Sequence, residues 1–518
     1  NDLFPKLDGM FAVAIWDSQR RCLVVARDRV GEKPLYIGRA GDGWAIASEL
    51  KALLLHPRLD RAIDPAAVEQ YLAFDYVVGP RTILRNVQKL RAGHVGTISV
   101  DGFVSVPYWT LRFESSGTSL PTAIERLDQI LDESVRRRML ADVPLGLFLS
   151  GGLDSSTVGY YMRRHSKSVK AFTIGFEVPA FDETDQASVV ARHLGLDHEI
   201  EVLSEEAVLN LIPQLTAILD EPMADPSIIP TYLLSLFARR SVTVALGGDG
   251  SDELLMGYRT YQALKIAGGL DVLPFGARSV LAAIARRLPD RTGSTYGKAR
   301  RLMAGMDVPA EARLLHRLGS FGTAARSMIN PVLRAELGQA VEIDPLEEIR
   351  SSTIGGRDWA DRTIATYVRG YLQEDILVKV DRASMAASLE VRAPFLAPAL
   401  IDYLGTVSST MKLAGFERKH LLRRLMRGRI PDVIIDRPKQ GFGAPLDSWF
   451  RASLAGFAAD VLDPERVEAS GLLDAHRASI LLAEHRKGNA DHGNRLWSAI
   501  GLQLWHEHWM TSRPLDDA

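Results

Sequence analysis

A chain of 518 residues is long enough for several separate cores of roughly 150 residues each. Its 62 basic and 64 acidic side chains leave a formal charge of −2, short of the basic excess a polyanion-binding surface needs, so nucleic acid is excluded as a main partner. With 46% hydrophobic and 24% charged residues, one cysteine and no uninterrupted apolar run approaching about 18 residues, the chain has no expected membrane span, internal disulfide or Cys-rich metal site, and the cytoplasm is its expected compartment.

Leu3 to Trp16 has no basic leader followed by an apolar stretch, so no signal peptide is expected; the first residue is Asn1, and the true start is expected upstream. From Gly9 to Glu49 short β-prone runs (MFAVAIWD, CLVVARD, PLYIGR, WAIASE) alternate with polar turns, which predicts antiparallel sheet. Small polar residues, Gly and Pro gather at Phe113 to Pro121, where the domain boundary is placed, giving residues 1–112 and 113–518. Beyond it Ile124, Leu127, Ile130, Leu131 and Val135 recur at helical spacing, and VPLGLFLS (Val143 to Ser150) reads as a buried strand. A helix from about Ser155 to Arg164 follows, then a strand at Lys170 to Gly175, a helix at Asp185 to Leu194, and strands at His198 to Val202 and Val242 to Leu246. Repeated βαβ units predict an α/β fold, a doubly wound, mostly parallel sheet with helices on both faces. After Gly257 the pattern is a mainly helical extension, and the basic stretch Arg278 to Arg301 reads as a solvated helical face.

The segment Leu149 to Ser156 (LSGGLDSS) joins a predicted buried strand to a predicted helix, where open α/β sheets bind ligands. Gly151 and Gly152 let backbone N–H groups approach an anion, the helix start adds unpaired N–H groups and a positive dipole end, and Ser150, Ser155 and Ser156 add hydroxyls. Asp154 would repel a bare phosphate, but becomes useful with a magnesium ion between carboxylate and phosphate oxygens. A Gly turn before a Ser-capped helix would explain a lone SGG; all seven residues Ser150 to Ser156 in this setting favour a metal-bound polyphosphate. Neither GxxxxGK[ST] nor a GxSxG elbow is present. A second strand end carries VALGGDGSDE, in which Asp249, Asp252 and Glu253 follow closely spaced glycines and suggest a cation, with an acidic helix-capping turn as the plain alternative.

SGGLDSS followed by GDGSDE resembles the pyrophosphate-loop ATPases that activate carboxylates as adenylates, and among them the glutamine-dependent asparagine synthetases. KAFTIGF, DILVKVDRASMAASLEVRAPFL (Asp375 to Leu396), ERKHLLR (Glu417 to Arg423) and RPKQGFGAPLDSWF (Arg437 to Phe450) resemble that family in order and spacing, over nearly the whole chain. The resemblance implies that Leu149, Ser150, Gly151, Gly152, Asp154, Ser155, Ser156, Ile174, Gly247 and Gly248 bind ATP and that Asp154 and Asp252 hold Mg2+. It implies that Lys439 neutralises charge at the reacting phosphorus and that Asp249, Glu390 and Arg392 shape the acceptor or intermediate site; Glu390 and Arg392, two apart, could instead form a structural ion pair. LDGMFAVAIWD, RDRVGEKPLY and ASELKALL resemble the last third of a class II glutaminase domain, so residues 1–112 are expected to be a partial antiparallel-sheet α+β glutaminase unit and 113–518 an ATP-pyrophosphatase unit. In that family the nucleophile is the cysteine at the processed N-terminus; Cys22, inside a predicted strand, reads as a small buried hydrophobe.

The implied reaction forms β-aspartyl-AMP from aspartate and ATP, then asparagine with ammonia derived from glutamine, and a homodimer is compatible with it. Gly247 stands where the family often has Ser, Asp249 where it often has Glu, and Ala397 where Asp commonly follows PFL. These departures keep open a related enzyme acting on another carboxylate, such as a sugar or secondary-metabolite acid; a catalytically silent nucleotide binder is the third reading, opposed by Asp154, Asp252 and Lys439.

Overall fold

A computed structural model describes residues 3–114, 116–177, 182–287, 318–337, 345–351, 353–356, 358–437 and 444–511, with the short pieces 303, 306–307 and 313–314. The first 112 residues build two antiparallel sheets. Strands β1 (Ala12–Asp17) and β2 (Cys22–Arg27) pair with β6 (His94–Ser99) and β7 (Gly102–Pro107) in the order β1-β2-β6-β7, while β3 (Tyr36–Ala40) lies between β4 (Gly43–Ala47) and β5 (Val87–Lys89). The antiparallel expectation holds, but β2 pairs with β6 rather than β3, so the strands divide between two sheets. Cys22 is buried in β2 opposite Asp17.

Between the sheets' strands run α1 (Leu50–Leu54) and α2 (Pro65–Phe74), the latter capped by the Asp64 carboxylate, which accepts from Ala66 N at 2.9 Å. It ends on Asp75 in a left-handed conformation with φ 72°. Burial pushes the Asp75 carboxyl up to about 7, against a hydrogen bond from Ser320 Oγ at 2.7 Å. Between about pH 4 and 7 the folded chain therefore keeps a proton that the unfolded chain has lost. Stability should fall by up to about 1.4 kcal/mol per pH unit as pH rises through that window. Asp75→Asn should remove this slope, so its urea midpoint should gain on the parent's between pH 5 and 7; parallel curves would refute the assignment.

After β8 (Leu111–Arg112) the chain enters α3 (Leu120–Arg138), capped by Ser119, whose Ala123, Leu127, Ile130, Leu131 and Val135 form one buried face. Then come β9 (Leu145–Phe148), α4 (Leu153–His165), β10 (Lys170–Phe176), α5 (Thr184–Leu194), β11 (Asp197–Leu203), α6 (Glu205–Leu211), α7 (Leu215–Ile218), α8 (Ile228–Arg239) and β12 (Val244–Leu246). A short strand β13 (Thr353–Ile354) pairs with β8, and β14 (Glu390–Arg392) completes a five-stranded sheet of order β11-β10-β9-β12-β14, every neighbour parallel. Leu147, Ala171 and Leu246 point to the core on one face, and Phe172, Ile174 and Ala245 to the core on the other, as the two-residue strand period requires. Described segments beyond Gly257 are mostly helical, including a rod from Trp359 to Ala386 whose middle, Tyr367–Ile376, is π-helical. The basic stretch is helical up to Arg286, with Arg278 paired to Asp271 at 2.5 Å; positions 288–301 lie outside the described residues.

Buried charge joins the first 112 residues to the rest. Lys89 Nζ lies 2.8 Å from Glu221 and 2.9 Å from Glu374, Lys33 lies 2.7 Å from Asp381, and Arg382 bonds both Asp220 at 3.0 Å and the Ser48 carbonyl at 3.1 Å.

Candidate active site

A cleft of about 820 Å³ opens at the carboxyl ends of β9, β10 and β12. That is room for a nucleotide and a small acceptor, at the end of a parallel sheet where ligands bind. Among its lining residues are Leu149, Ser150, Gly152, Asp154, Ser155, Ile174, Gly247, Gly248, Asp249 and Asp252. Gly151 and Ser156 lie behind this wall. Gly151 has φ +68°, and a Cβ there would stand 2.4 Å from the Ala187 amide, so close packing against α5 demands glycine. Ser156 is fully buried in α4. Ser155 Oγ accepts from Ser150 N at 3.2 Å and meets Ser150 Oγ at 3.1 Å, while Ser150 Oγ accepts from Gly152 N at 3.3 Å; the serines thus staple the turn that opens α4.

Asp154 sits in the first turn of α4, with Ser251 Oγ donating to it at 2.7 Å. Gly248 lets the second strand end approach: a Cβ there would be 3.0 Å from Asp154 Cβ. Lys419 Nζ reaches both Asp154 oxygens at 2.6 Å and Asp252 Oδ1 at 2.7 Å, so the two carboxylates expected to hold a metal are joined by an ammonium. Burial alone would depress this lysine; Asp154 and Asp252 outweigh it and hold the charge above the usual lysine range. Lys419 carries φ 52°, a left-handed strain for a non-glycine residue, as it caps the helix His420–Met426.

Lys379, on the helix Leu377–Ala386, lines the same cleft and donates to Asp225 Oδ2 and Ser227 Oγ, both at 2.8 Å. Asp249 lies near it. Burial raises the Asp249 carboxyl and Lys379 opposes the rise. A Cβ on Gly247 would stand 2.7 Å from Asp249 Oδ2, so the glycine makes room for the shorter acid to fold back over it.

Glu390 and Arg392 are not brought into this cleft. Arg392 Nε donates to Glu390 Oε1 at 2.7 Å, and its Nη1 donates to the Arg138 and Leu140 carbonyls, both at 2.8 Å; the ion-pair alternative describes them. Ala397 is the N-cap of the helix Pro398–Thr406, where an Asp would cap backbone N–H groups. Lys439 lies outside the described residues. Lys419 and Lys379 fall in runs quoted for the family resemblance, Lys419 among polar residues (ERKH) and Lys379 between Val378 and Val380; a lone lysine reads as a surface residue, and no local pattern marks either as buried. Arg423 and Arg437 also line the cleft, the latter 3.2 Å from Glu183.

The asparagine synthase profile matches residues 126–507, and a glutamine amidotransferase domain profile matches residues 1–109. The chain is 34% identical over 514 residues to a Mycobacterium bovis protein provisionally named asparagine synthetase (glutamine-hydrolyzing), covering 98% of this chain and 77% of that protein. It is 31% identical over 508 residues to asparagine synthetase (glutamine-hydrolyzing) 1 of Bacillus subtilis, covering 97% and 78%. At 25% identity over 511 residues it also resembles amidase chyE of Penicillium rubens, covering 90% and 74%. The chain belongs to the asparagine synthase family of carbon–nitrogen ligases.

Proposed function

We propose that this chain makes asparagine by ATP-dependent amidation of aspartate. The aspartate side-chain carboxylate attacks the α-phosphorus of ATP, releasing pyrophosphate and leaving β-aspartyl-AMP; ammonia derived from glutamine then displaces AMP. Residues 113–518 would carry this chemistry and residues 1–112 would be the C-terminal part of a glutaminase unit. The observation that carries the reading is the cleft itself: a glycine–serine turn at the start of α4, facing the Asp154–Lys419–Asp252 bridge across the sheet end.

The turn offers backbone N–H groups and serine hydroxyls to a polyphosphate. Asp154 and Asp252 would hold Mg2+ together with phosphate oxygens; two hard carboxylate donors suit that ion, and among the described residues no cluster of three His, Cys, Asp or Glu offers a cage of protein alone. Bound there, the ion would neutralise charge on the leaving pyrophosphate. Lys419 keeps the two carboxylates convergent beforehand, and Lys439 would add a second cation at the phosphorus, where the transition state spreads negative charge over oxygens. Among the described residues no helix is long and apolar enough to cross a membrane. We place the enzyme in the cytoplasm, with a homodimer as the assembly for light scattering to test.

Carboxylate-dependent ATP–pyrophosphate exchange tests the reading: aspartate should stimulate it well above glutamate or acetate. The folded-back Asp249 over Gly247 favours one second reading, amidation of another carboxylate, which a different winner in that screen would establish. A separate expectation concerns the donor. The only thiol of these 518 residues is Cys22, 6% exposed in the middle of the first sheet, so they should use ammonium salts and release no glutamate from glutamine. Glutaminase activity that Cys22→Ala removes would overturn this.

A further inference from the structure

A second cavity, of about 620 Å³, shares no lining residue with the catalytic cleft, and its volume suits a small molecule. One wall is a face of the helix Arg259–Gly269, on which Leu264, Lys265 and Gly268 recur at helical spacing. The other is the start of the rod, where Trp359, Arg362, Thr363 and Thr366 do the same, and buried Leu314 and Ile349 complete an apolar lining. Glycine inside a helix costs about 1 kcal/mol relative to alanine. Nothing in the described chain requires it at Gly268 or Gly269: neither has a positive φ, and a Cβ at either would meet no atom within 4 Å. The two glycines keep open a space that the described residues leave unfilled.

The charged side chains on the wall are Lys265, Arg313, Arg362 and, as the one acid among the described residues, Asp271. Asp271 is spent, since Arg313 meets it at 2.5 and 2.9 Å and Arg278 at 2.5 Å. Lys265 donates to the Gly415 carbonyl at 2.6 Å and lies 5.6 Å from the Phe416 ring; among the described residues its ammonium has no other acceptor, and the Trp359 indole N–H has none. The Thr363 and Thr366 hydroxyls donate to carbonyls of their own helix, at 2.7 and 2.9 Å. Donors with protein acceptors missing, set beside apolar side chains and a surplus of positive charge, complement an anion carried on an apolar body.

We propose that this cavity is a second ligand site, one that takes a small organic anion with an apolar body. The body packs against Leu264, Leu314, Ile349 and the Trp359 ring, and the anionic group accepts from Lys265 and the Trp359 N–H. The site goes beyond the ATP chemistry proposed above and does not depend on it.

Two fluorescent probes separate the parts of the site: anilinonaphthalene sulfonate, and phenylnaphthylamine, its neutral counterpart without the sulfonate. The sulfonate should bind the parent chain saturably, and saturating MgATP should leave that binding in place. Gly268→Leu puts a side chain into the open space, where leucine also favours the helix more than glycine does, so the fold should hold while both probes lose their binding. Lys265→Met keeps the stem and removes the charge. A hydrogen bond to a charged group corresponds to about 10- to 100-fold in affinity, so this variant should weaken the sulfonate by about that factor and leave the neutral probe nearly unchanged. Trp359→Phe, which keeps an aromatic wall and removes the N–H, should also act on the sulfonate more than on the neutral probe. Equal losses on the two probes in Lys265→Met would mean an apolar hollow that does not read the anion, and would overturn the proposal. So would the absence of saturable binding, or binding that MgATP displaces and Gly268→Leu leaves intact, which would put the probe in the catalytic cleft.

Discussion

Asp154→Asn is expected to lower aspartate-dependent ATP–pyrophosphate exchange by about 10²- to 10³-fold, the size of effect that loss of one well-placed electrostatic group has on a chemical step. Asn keeps the shape and can still accept from Ser251, so the first turn of α4 should hold. What changes is charge. Lys419 loses the carboxylate that meets it through both oxygens and is left with Asp252, so the ammonium swings toward one wall and the convergent pair of carboxylates is gone. Because Asp154 sits in a helix turn rather than an exposed loop, a modest drop in melting temperature should accompany the loss, far too small to account for it. Exchange that persists at saturating magnesium would remove Asp154 from the metal and phosphate site. A matching Lys419→Met variant separates the two functions of the bridge: with both carboxylates intact, added magnesium should restore more of its activity than that of Asp154→Asn.

The strands of the parallel sheet were legible because burial on both faces leaves uninterrupted apolar runs such as VPLGLFLS and KAFTIGF, and the phosphate turn because its glycines and serines sit at a strand–helix junction. β14 was not. Its three residues, Glu390, Val391 and Arg392, contain one apolar side chain, and they become a strand only through pairing with Val244 to Leu246, far away in sequence. The two lysines of the cleft were hidden for the same reason: Lys419 meets Asp154 across 265 positions and Lys379 meets Asp225 across 154, and no local pattern records either contact. The division of the N-terminal strands likewise depends on β2 choosing β6, a tertiary choice between equally β-prone neighbours. Glu390 and Arg392, named for the acceptor site from resemblance, bond to each other on β14, and Arg392 also donates to the Arg138 carbonyl at the end of α3, a contact 254 positions away that no local pattern records.

The largest effect on stability is expected from Lys89→Met. Lys89, 5% exposed at the end of β5, is the cation between Glu221 and Glu374 and also donates to the Val77 carbonyl at 2.7 Å. Burial penalises its charge, yet the two carboxylates outweigh that penalty and hold the ammonium above its usual range. Methionine fills much of the same volume but leaves two buried acids facing each other without a cation, and breaking a buried pair from one side costs about 3–5 kcal/mol. The deficit should depend on pH in a fixed direction. Without Lys89, one of the two carboxyls must take up a proton to stay buried, so its folded pKa rises above the unfolded value. The folded variant then binds a proton that the unfolded chain releases, and its stability falls as pH rises through that window. Urea midpoints should show the variant closest to the parent near pH 5 and furthest from it near pH 8. Adding Glu221→Gln to Lys89→Met should recover part of the loss, because the amide oxygen still accepts from the Ile83 backbone N–H, as Glu221 Oε1 does at 2.8 Å, while removing one of the opposed charges. If the double variant is no more stable than the single one at pH 8, packing around the lysine stem, rather than the uncompensated carboxylates, sets the cost.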